Sequence, residues 1–368
     1  MSATDGKPPI VAALPRWAKR VKTFDNIASK EFGRMIYASN NLEDTGLNFD
    51  DTVRLCELVF TDSYVPETYK EEKRLASQKR KREEEAHWKI TKWATAALKH
   101  YFASSGGRDK VALHGNDDGE NVEDERRKNK QSRREVIQHA RAWKYFIQRF
   151  CIDQEELSTN LLQRTHSVLC AGIEPDDNGQ EWWHWSGRYR DFDTIGAGTL
   201  HLKKENSKTP TSKHYKTTKE GRKPIMYIRA TAVETYMDAM IEDFNILKGR
   251  WSSDGVMGYC NLAAWVGGRI MNIWPFKEEN GKMARLVMNA VLWKYFGVVV
   301  GIGEGEGEKE EYLEILRKAG EVFHGEEFAI LAEEQRGHEE LTGLVSRKFE
   351  EGRKRIEESL KWKWKLWR

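Results

Sequence analysis

The sequence has few cysteines, few prolines and no long apolar run. Among 368 residues there are four cysteines and eight prolines, and no apolar stretch reaches the roughly 18 residues that a transmembrane helix needs. The cysteines lie far apart without a C-x-x-C pair, which gives no zinc-site pattern and is typical of reduced thiols. Because the N-terminus also lacks a basic stretch followed by a long apolar segment, we predict a cytoplasmic protein without a membrane span.

An excess of charge of one sign is lacking as well. Lys and Arg total 61 against 58 Asp and Glu, which gives a net charge of +3. A chain so close to neutral has no single-sign field over its whole surface, so binding of a polyanion has to depend on local segments. Residues 70–92, 203–223 and 347–368 are locally basic. They predict tRNA or another polyanion as a partner, with solvated and internally paired charges as the alternative interpretation.

Helical periodicity dominates what is present, and it predicts a mainly α protein. The predicted parts are an N-terminal arm (1–23), N-terminal helices (24–103), a mobile polar loop (104–132), a helical core (133–300) and C-terminal helices (301–368). Within the core, residues 225–228 predict a strand. The glycine-rich acidic segment 301–308 predicts a flexible break before the C-terminal helices.

The most informative stretch is a short polar loop between two apolar helices, at residues 271–288. Asn280-Gly281 is a turn dipeptide that tolerates positive φ, and apolar residues recur at helical spacing after it. Backbone N–H groups at the start of the second helix would face the loop, with Lys282 and Arg285 adding positive charge. The pattern therefore predicts an anion-binding loop.

This loop resembles the signature of the Fic (Fido-domain) family, His-x-Phe-x-(Asp/Glu)-Gly-Asn-Gly-Arg-x-x-Arg. The matching positions are Phe276, Glu278, Asn280, Gly281 and Arg285. Three positions depart from the signature, because Trp274, Glu279 and Lys282 stand where the family has its catalytic histidine, first glycine and first arginine. The chain is thus identified as a fungal-type Fic protein with a degenerate motif.

Two further segments carry the resemblance. Residues 39–44 are similar to the family's inhibitory motif, (Ser/Thr)-x-x-x-Glu-(Gly/Asn), which implies regulatory roles for Ser39 and Glu43 and a pair between Glu43 and Arg285. Residues 187–190 are similar to the Gly-x-Tyr-Arg segment that precedes the family's substrate flap, which places Tyr227 at the flap. The implied fold is a Fic-like helical core with a small β-hairpin flap and extra helices at both ends.

The resemblance implies a reaction that the substituted residues oppose. In the family, the motif histidine deprotonates a protein hydroxyl that attacks the α-phosphate of ATP, and the motif acid holds Mg²⁺. The indole of Trp274 only donates a hydrogen bond and cannot accept that proton, and the carboxylate of Glu279 would repel a polyphosphate. Lys282 keeps a charge but loses the bidentate geometry of arginine. Loss of ordinary AMP transfer is therefore predicted, with ATP and Mg²⁺ expected only if the ancestral site still works.

Three hypotheses follow. The first is a divergent, tRNA-dependent group transferase, similar in class to the fungal cyclodipeptide synthases, with an acidic pocket for a cationic small molecule or amino acid. Its proposed catalytic residues are Glu278, Glu279 and Asn280, and its proposed substrate-binding residues are Trp274, Phe276, Gly281, Lys282, Arg285 and Tyr227. The second is an inactive Fic pseudo-enzyme or binding module held shut by Glu43. The third is an atypical AMP transferase with His201 or His214 of the flap as a substitute base.

Overall fold

The structure is a computed structural model that describes residues 24–66, 121–173, 181–196, 225–326 and 330–366, together with isolated positions between 68 and 78. Its contacts divide the chain into two compact units, residues 1–63 with 134–368, and residues 64–133. The predicted N-terminal arm, most of the basic segment 70–92 and all of the basic segment 203–223 lie outside the described residues. The candidate site lies in the first unit.

The described part of the chain contains nine α-helices, which confirms the prediction of a mainly α fold. They are α1 (Phe24–Asn41), α2 (Phe49–Phe60), α3 (Asn121–Ile147), α4 (Thr159–Cys170), α5 (Val233–Trp251), α6 (Gly255–Ile273), α7 (Asn280–Phe296), α8 (Glu308–Glu326) and α9 (Glu339–Leu366). A π-helical turn at Gln148–Ile152 follows α3. None of the described helices is long and apolar enough to cross a membrane.

Local sequence signals account for several helix boundaries. The side chains of Asn48 and Ser158 cap α2 and α4 by accepting hydrogen bonds from backbone N–H groups in the first turn. Helix α3 begins at Asn121, so the predicted polar loop 104–132 is wrong for residues 121–132. Acidic residues come first in that segment and basic residues follow, and this order favours a helix through the macrodipole and through pairs three or four residues apart.

Helices α6 and α7 form the centre of the fold. Residues 280–293 of α7 are all buried, so this helix has no solvent-facing side over most of its length. Phe32 of α1 connects α2 and α3 to this centre, because its ring meets Phe60, Trp143 and Trp293 edge to face at centroid distances of 5.3, 5.3 and 4.6 Å. The loop between α6 and α7 is therefore attached to a deeply buried part of the described fold.

Two short strands, β1 (Ile195–Gly196) and β2 (Ile225–Met226), pair antiparallel, with Ile195 opposite Met226. The second strand lies where the sequence predicts one. The intervening residues, 197–224, which include most of the predicted flap and both flap histidines, are outside the described part of the chain.

The glycine-rich segment after α7 is packed, so the predicted flexible break is wrong for residues 301–303. All three are buried, and the Asn41 side chain donates a 2.6 Å hydrogen bond to the carbonyl of Gly303. Gly303 has φ +103°, and a Cβ there would lie 2.6 Å from the Leu42 side chain. The glycine is needed for close approach to the end of α1, which carries the inhibitory-like motif.

Candidate functional site

The loop from 274 to 279 is bracketed by two non-glycine residues in the left-handed region. Trp274 ends α6 with φ 53° and ψ 60°, and Glu279 precedes α7 with φ 62° and ψ 17°. Such a conformation costs an L-residue about 1 kcal/mol or more, and it clusters at functional sites. At position 279 the resemblance expects glycine, and the backbone keeps the conformation that glycine would favour.

Asn280 closes the loop on itself. Its side-chain oxygen accepts a hydrogen bond from the N–H of Phe276, and its amide nitrogen donates to the carbonyl of Phe276, both at 2.8 Å. Both residues are 1% exposed. The Asn280 amide, which the sequence predicts to be catalytic, therefore holds the backbone of the loop.

His166 of α4 packs against the loop. Its ring stacks on Phe276 with centroids 3.9 Å apart. The N–H of Gly187 donates to Nδ1 at 2.8 Å, so the imidazole proton is on Nε2, which lies 3.1 Å from the carbonyl of Glu278. Burial lowers the pKa of His166 to about 4, partly opposed by the Glu278 carbonyl. This imidazole touches the loop but is neutral, with both nitrogens engaged.

Arg190 ties the loop to the root of the flap. Its guanidinium donates to the carbonyls of Trp274 (2.7 Å), Phe192 (2.8 Å), Ile273 (3.4 Å) and Ile228. Its backbone N–H also donates to the carbonyl of Pro275 at 2.9 Å. The planar fork of arginine matches this set of acceptors, and a lysine would not. Arg190 therefore positions backbone on both sides of the site.

Lys282 lies between two carboxylates. Its Nζ is 2.8 Å from Oε2 and 3.0 Å from Oε1 of Glu279, and 3.5 Å from Oε2 of Glu43. The Lys282 side chain is 3% exposed, so the charge has no access to bulk water. A cation buried this deeply needs a carboxylate partner, and Glu279 is the nearer of the two.

Arg285 makes the pair with Glu43 that the resemblance implies. Nη2 lies 2.5 Å from Oε1 of Glu43, and the guanidinium also donates to Oγ and the carbonyl of Ser39, at 2.7 and 3.0 Å. The same Glu43 oxygen would be 2.6 Å from a Cβ placed on Gly281. Glu43 therefore lies against the first turn of α7, where the sequence predicts an anion.

The electrostatics of this cluster follow from burial and mutual attraction. Burial raises the pKa of Glu279 to about 7; Lys282 opposes the shift and Glu43 adds to it. Burial also acts to raise the pKa of Glu43, but Lys282 and Arg285 together outweigh it and hold that pKa below its usual value. For Lys282, Glu279 and Glu43 outweigh burial and raise the pKa above its usual range.

Trp274 occupies the position of the family's histidine and stacks on the flap. Its ring lies 4.6 Å from that of Tyr227, with 18° between the planes. Of the other predicted residues, Glu278 has an exposed side chain. The predicted acidic pair is thus separated, with one carboxylate at the surface and the other on Lys282.

Sequence reasoning missed His166 and His139. His139 of α3 is fully buried, and its Nδ1 lies 3.0 Å from the side-chain oxygen of Asn40. Burial, with Lys282 and Arg285 nearby, lowers its pKa well below the usual value. Both histidines lie on apolar helix faces, and no local pattern distinguishes them from ordinary core residues.

Comparison with solved structures identifies the fold. A Fic domain containing signaling protein from Bacteroides thetaiotaomicron matches at a TM-score of 0.53 and 16% identity, over 93% of each chain. The fold is that of a Fic domain. Two further matches have lower TM-scores: a Fic family protein from Desulfovibrio desulfuricans (0.43, 12% identity, 95% of this chain and 75% of that one) and Fic-1 from C. elegans (0.39, 16%, 63% and 52%). Neither a family model nor a curated protein matches the sequence.

The residues of this Fic fold do not fit a bound ATP–Mg²⁺ in the arrangement seen. Glu43 lies against Gly281, and Glu279 engages the cation that replaces the motif arginine. A polyphosphate at the first turn of α7 would meet both carboxylates. Among the described residues, no group of three or more His, Cys, Asp or Glu is arranged to hold a metal ion.

Proposed function

We propose that this protein is a Fic-fold binding module that does not transfer AMP by the family's histidine mechanism. The observation that carries the proposal is the stacked indole of Trp274, which stands at the base position and cannot accept a proton. Of the described imidazoles, His166 is the one in contact with the loop, and both of its nitrogens are occupied.

The charged cluster supports the same proposal. Glu43 and Glu279 compensate Arg285 and Lys282 from within the chain, so the loop's cations are already neutralised. Such a loop can maintain its own conformation or contact a partner. It offers no open anion site for a nucleotide to be transferred.

The test is transfer of label from α-labelled ATP with Mg²⁺, to the protein itself and to hydroxyl-bearing protein substrates. We expect no transfer by the natural chain or by Arg285→Ala. The matched gain-of-function control combines Trp274→His, Glu279→Gly, Lys282→Arg and Glu43→Gly, which places the family's residues on a loop whose backbone at position 279 already has a φ that favours glycine. Transfer by the natural chain that Arg285→Ala abolishes would overturn the proposal.

The same assay addresses the substitute-base hypothesis. His201 and His214 lie outside the described residues, so that hypothesis is tested by the labelling assay and not by the positions of the two side chains. If the natural chain transfers label, and His201→Ala or His214→Ala stops it while Arg285→Ala does too, the protein is an atypical AMP transferase.

The tRNA-dependent transferase remains a hypothesis with a separate test. In α9, four of the five basic residues with described side chains are paired with glutamates: Arg347 with Glu311, Lys348 with Glu308 and Glu351, Arg353 with Glu350 and Glu357, Arg355 with Glu31. This pairing favours ion pairs within the chain over a phosphate-binding face. Co-purification of tRNA or a small cationic product, lost in Glu278→Gln while the fold survives, would favour the hypothesis.

A further inference from the structure

The cluster at the start of α7 contains a carboxylate that the Fic signature does not have. Glu279 replaces a glycine, keeps the glycine-like backbone at φ 62°, and turns its side chain onto Lys282 at 2.8 Å. Nothing in the inhibitory-like motif accounts for this residue, because Glu43 already pairs with Arg285 from the turn after α1.

We propose that Glu279 is a built-in competitor for anionic ligands, which shares Lys282 with Glu43, so that a phosphate-bearing anion binds this loop only when the carboxylates are neutralised or displaced. This inference rests on the proposed function, since it concerns the same loop. It assigns a specific role to Glu279 and identifies Lys282 as the cation for which ligand and protein compete.

The geometry of Lys282 is the first support. One buried ammonium lies within 3.5 Å of two carboxylates from different elements, Glu279 before α7 and Glu43 after α1. Lys282, Arg285, Glu279 and Glu43 sum to zero charge, and Glu135 of α3 adds a further carboxylate near Lys282. Neutralising Glu279 or Glu43 shifts this balance towards positive charge beside the first turn of a buried helix, where an incoming anion is then less strongly repelled.

The second support is that the cluster leaves buried polar atoms unsatisfied. Oε2 of Glu279 has a charge contact with Lys282 but no hydrogen bond of good geometry, and Nε2 of the fully buried His139 and Nδ2 of Asn40 have no hydrogen-bond partner either. Most buried polar atoms in folded proteins are satisfied. A carboxylate held by a single partner, Lys282, on a strained backbone can be displaced more easily than one in a complete network.

The third support is that the shared cation makes the cluster sensitive to proton binding. Glu279 is a buried carboxyl group. The charged groups that affect its pKa come from three elements: Lys282 from α7, Glu43 from the turn after α1, and Glu135 from α3. Arg285 belongs to the same cluster, and other titratable groups near it among the described residues are Tyr312, His139, Cys170 and Glu278. Protonation of Glu279 would free Lys282 for a phosphate.

The experiment measures binding of inorganic tripolyphosphate by calorimetry, without Mg²⁺, between pH 6 and 8. The proteins are the natural chain, Glu279→Gln, Glu43→Gln, the double variant, and the double variant with Lys282→Met. Glu278→Gln is the matched control, because it removes the same charge from the neighbouring, exposed position. Thermal melts establish that each variant is folded.

We expect each single variant to bind tripolyphosphate at least about tenfold more tightly than the natural chain, the double variant more tightly still, and Lys282→Met to remove the gain. The natural chain should bind more tightly at pH 6 than at pH 8, and Glu279→Gln should flatten that dependence. An equal gain in Glu278→Gln, or no gain in folded Glu279→Gln, would overturn the inference. AMP transfer by the natural chain in the labelling assay would instead overturn the proposed function, so the two failures are distinguishable.

Discussion

Two regions of this molecule contain ion pairs of the same kind, one buried in the protein interior and the other exposed to solvent. In the motif cluster, Lys282 and Arg285 have side-chain exposures of 3% and 5%. Along α8 and α9, Arg347 pairs with both oxygens of Glu311 at 2.8 Å, yet half of its side chain is in solvent. The comparison shows that pairing distance alone says little: water can replace a partner at the surface, and it cannot do so around α7.

The strongest way to break the comparison is Lys282→Met. The substitution leaves Glu279 and Glu43 buried without the cation they share, so we expect a loss of about 3–5 kcal/mol in the free energy of unfolding at neutral pH. Urea denaturation monitored by tryptophan fluorescence measures it. If Glu43→Gln is combined with Lys282→Met, part of the loss should be recovered, and the absence of any recovery would contradict the assignment of a shared cation.

Arg190→Lys tests a buried cation that contacts carbonyls instead of carboxylates. Lysine keeps the charge but cannot donate to four carbonyls in one plane. We expect a loss of about 2–4 kcal/mol, because buried carbonyls lose their donors. Arg188→Lys, which changes a neighbouring arginine of the same segment, provides the control. If Arg190→Lys lowers the free energy of unfolding no more than Arg188→Lys does, the carbonyls must find other donors.

The pH dependence of Glu279→Gln sharpens the comparison further. The pKa of Glu279 is raised to about 7 in the folded protein, mainly by burial, from a usual value of 4.5. The folded state therefore binds more protons than the unfolded state between these values, and the natural chain loses stability as pH rises through this range. Relative to Glu279→Gln, we expect the natural chain to lose on the order of 1–3 kcal/mol between about pH 4.5 and 7. Denaturation at each pH measures the difference in the free energy of unfolding between the two proteins. If this difference stays constant across the range, the pKa of Glu279 is not raised.

The surface side of the comparison predicts the smallest effect. Arg347→Met removes a two-oxygen contact with Glu311 at a half-exposed position, and we expect a change of about 0–1 kcal/mol. Raising the salt concentration should reduce even this difference, since exposed pairs are screened. A loss comparable to that of Lys282→Met would mean that burial is not what separates the two regions.

Local signals predicted the loop well and its surroundings poorly. Asn280-Gly281 and the apolar spacing after it identified the helix–loop–helix unit, and the resemblance identified Glu43 and Arg285 as partners across 242 positions. Two adjacent acids suggest an acidic pocket as well as pairing with Lys282 and Arg285, and the structure places Glu279 on Lys282, three residues away. Whether a carboxylate faces solvent or a cation depends on the backbone angle at Glu279, which the sequence does not display.

Other differences arise from contacts between distant segments. His166 is recognisable as a support for the loop only once Gly187 and Phe276 are brought to it. Gly303 was interpreted as part of a flexible break because the side chain it must avoid, Leu42, is far away in the sequence. Residues 121–132 were assigned to a loop by composition, although their order of charges favours a helix.

The four carbonyls held by Arg190 also link two parts of the site that are far apart in the chain. Ile228, just beyond the second strand, and Trp274, at the head of the loop, both accept hydrogen bonds from its guanidinium. Tyr227, whose ring stacks on the Trp274 indole, is the residue before Ile228. Because the backbone on both sides of this aromatic pair is held by one side chain, Arg190→Lys should also disturb the alignment of the two rings.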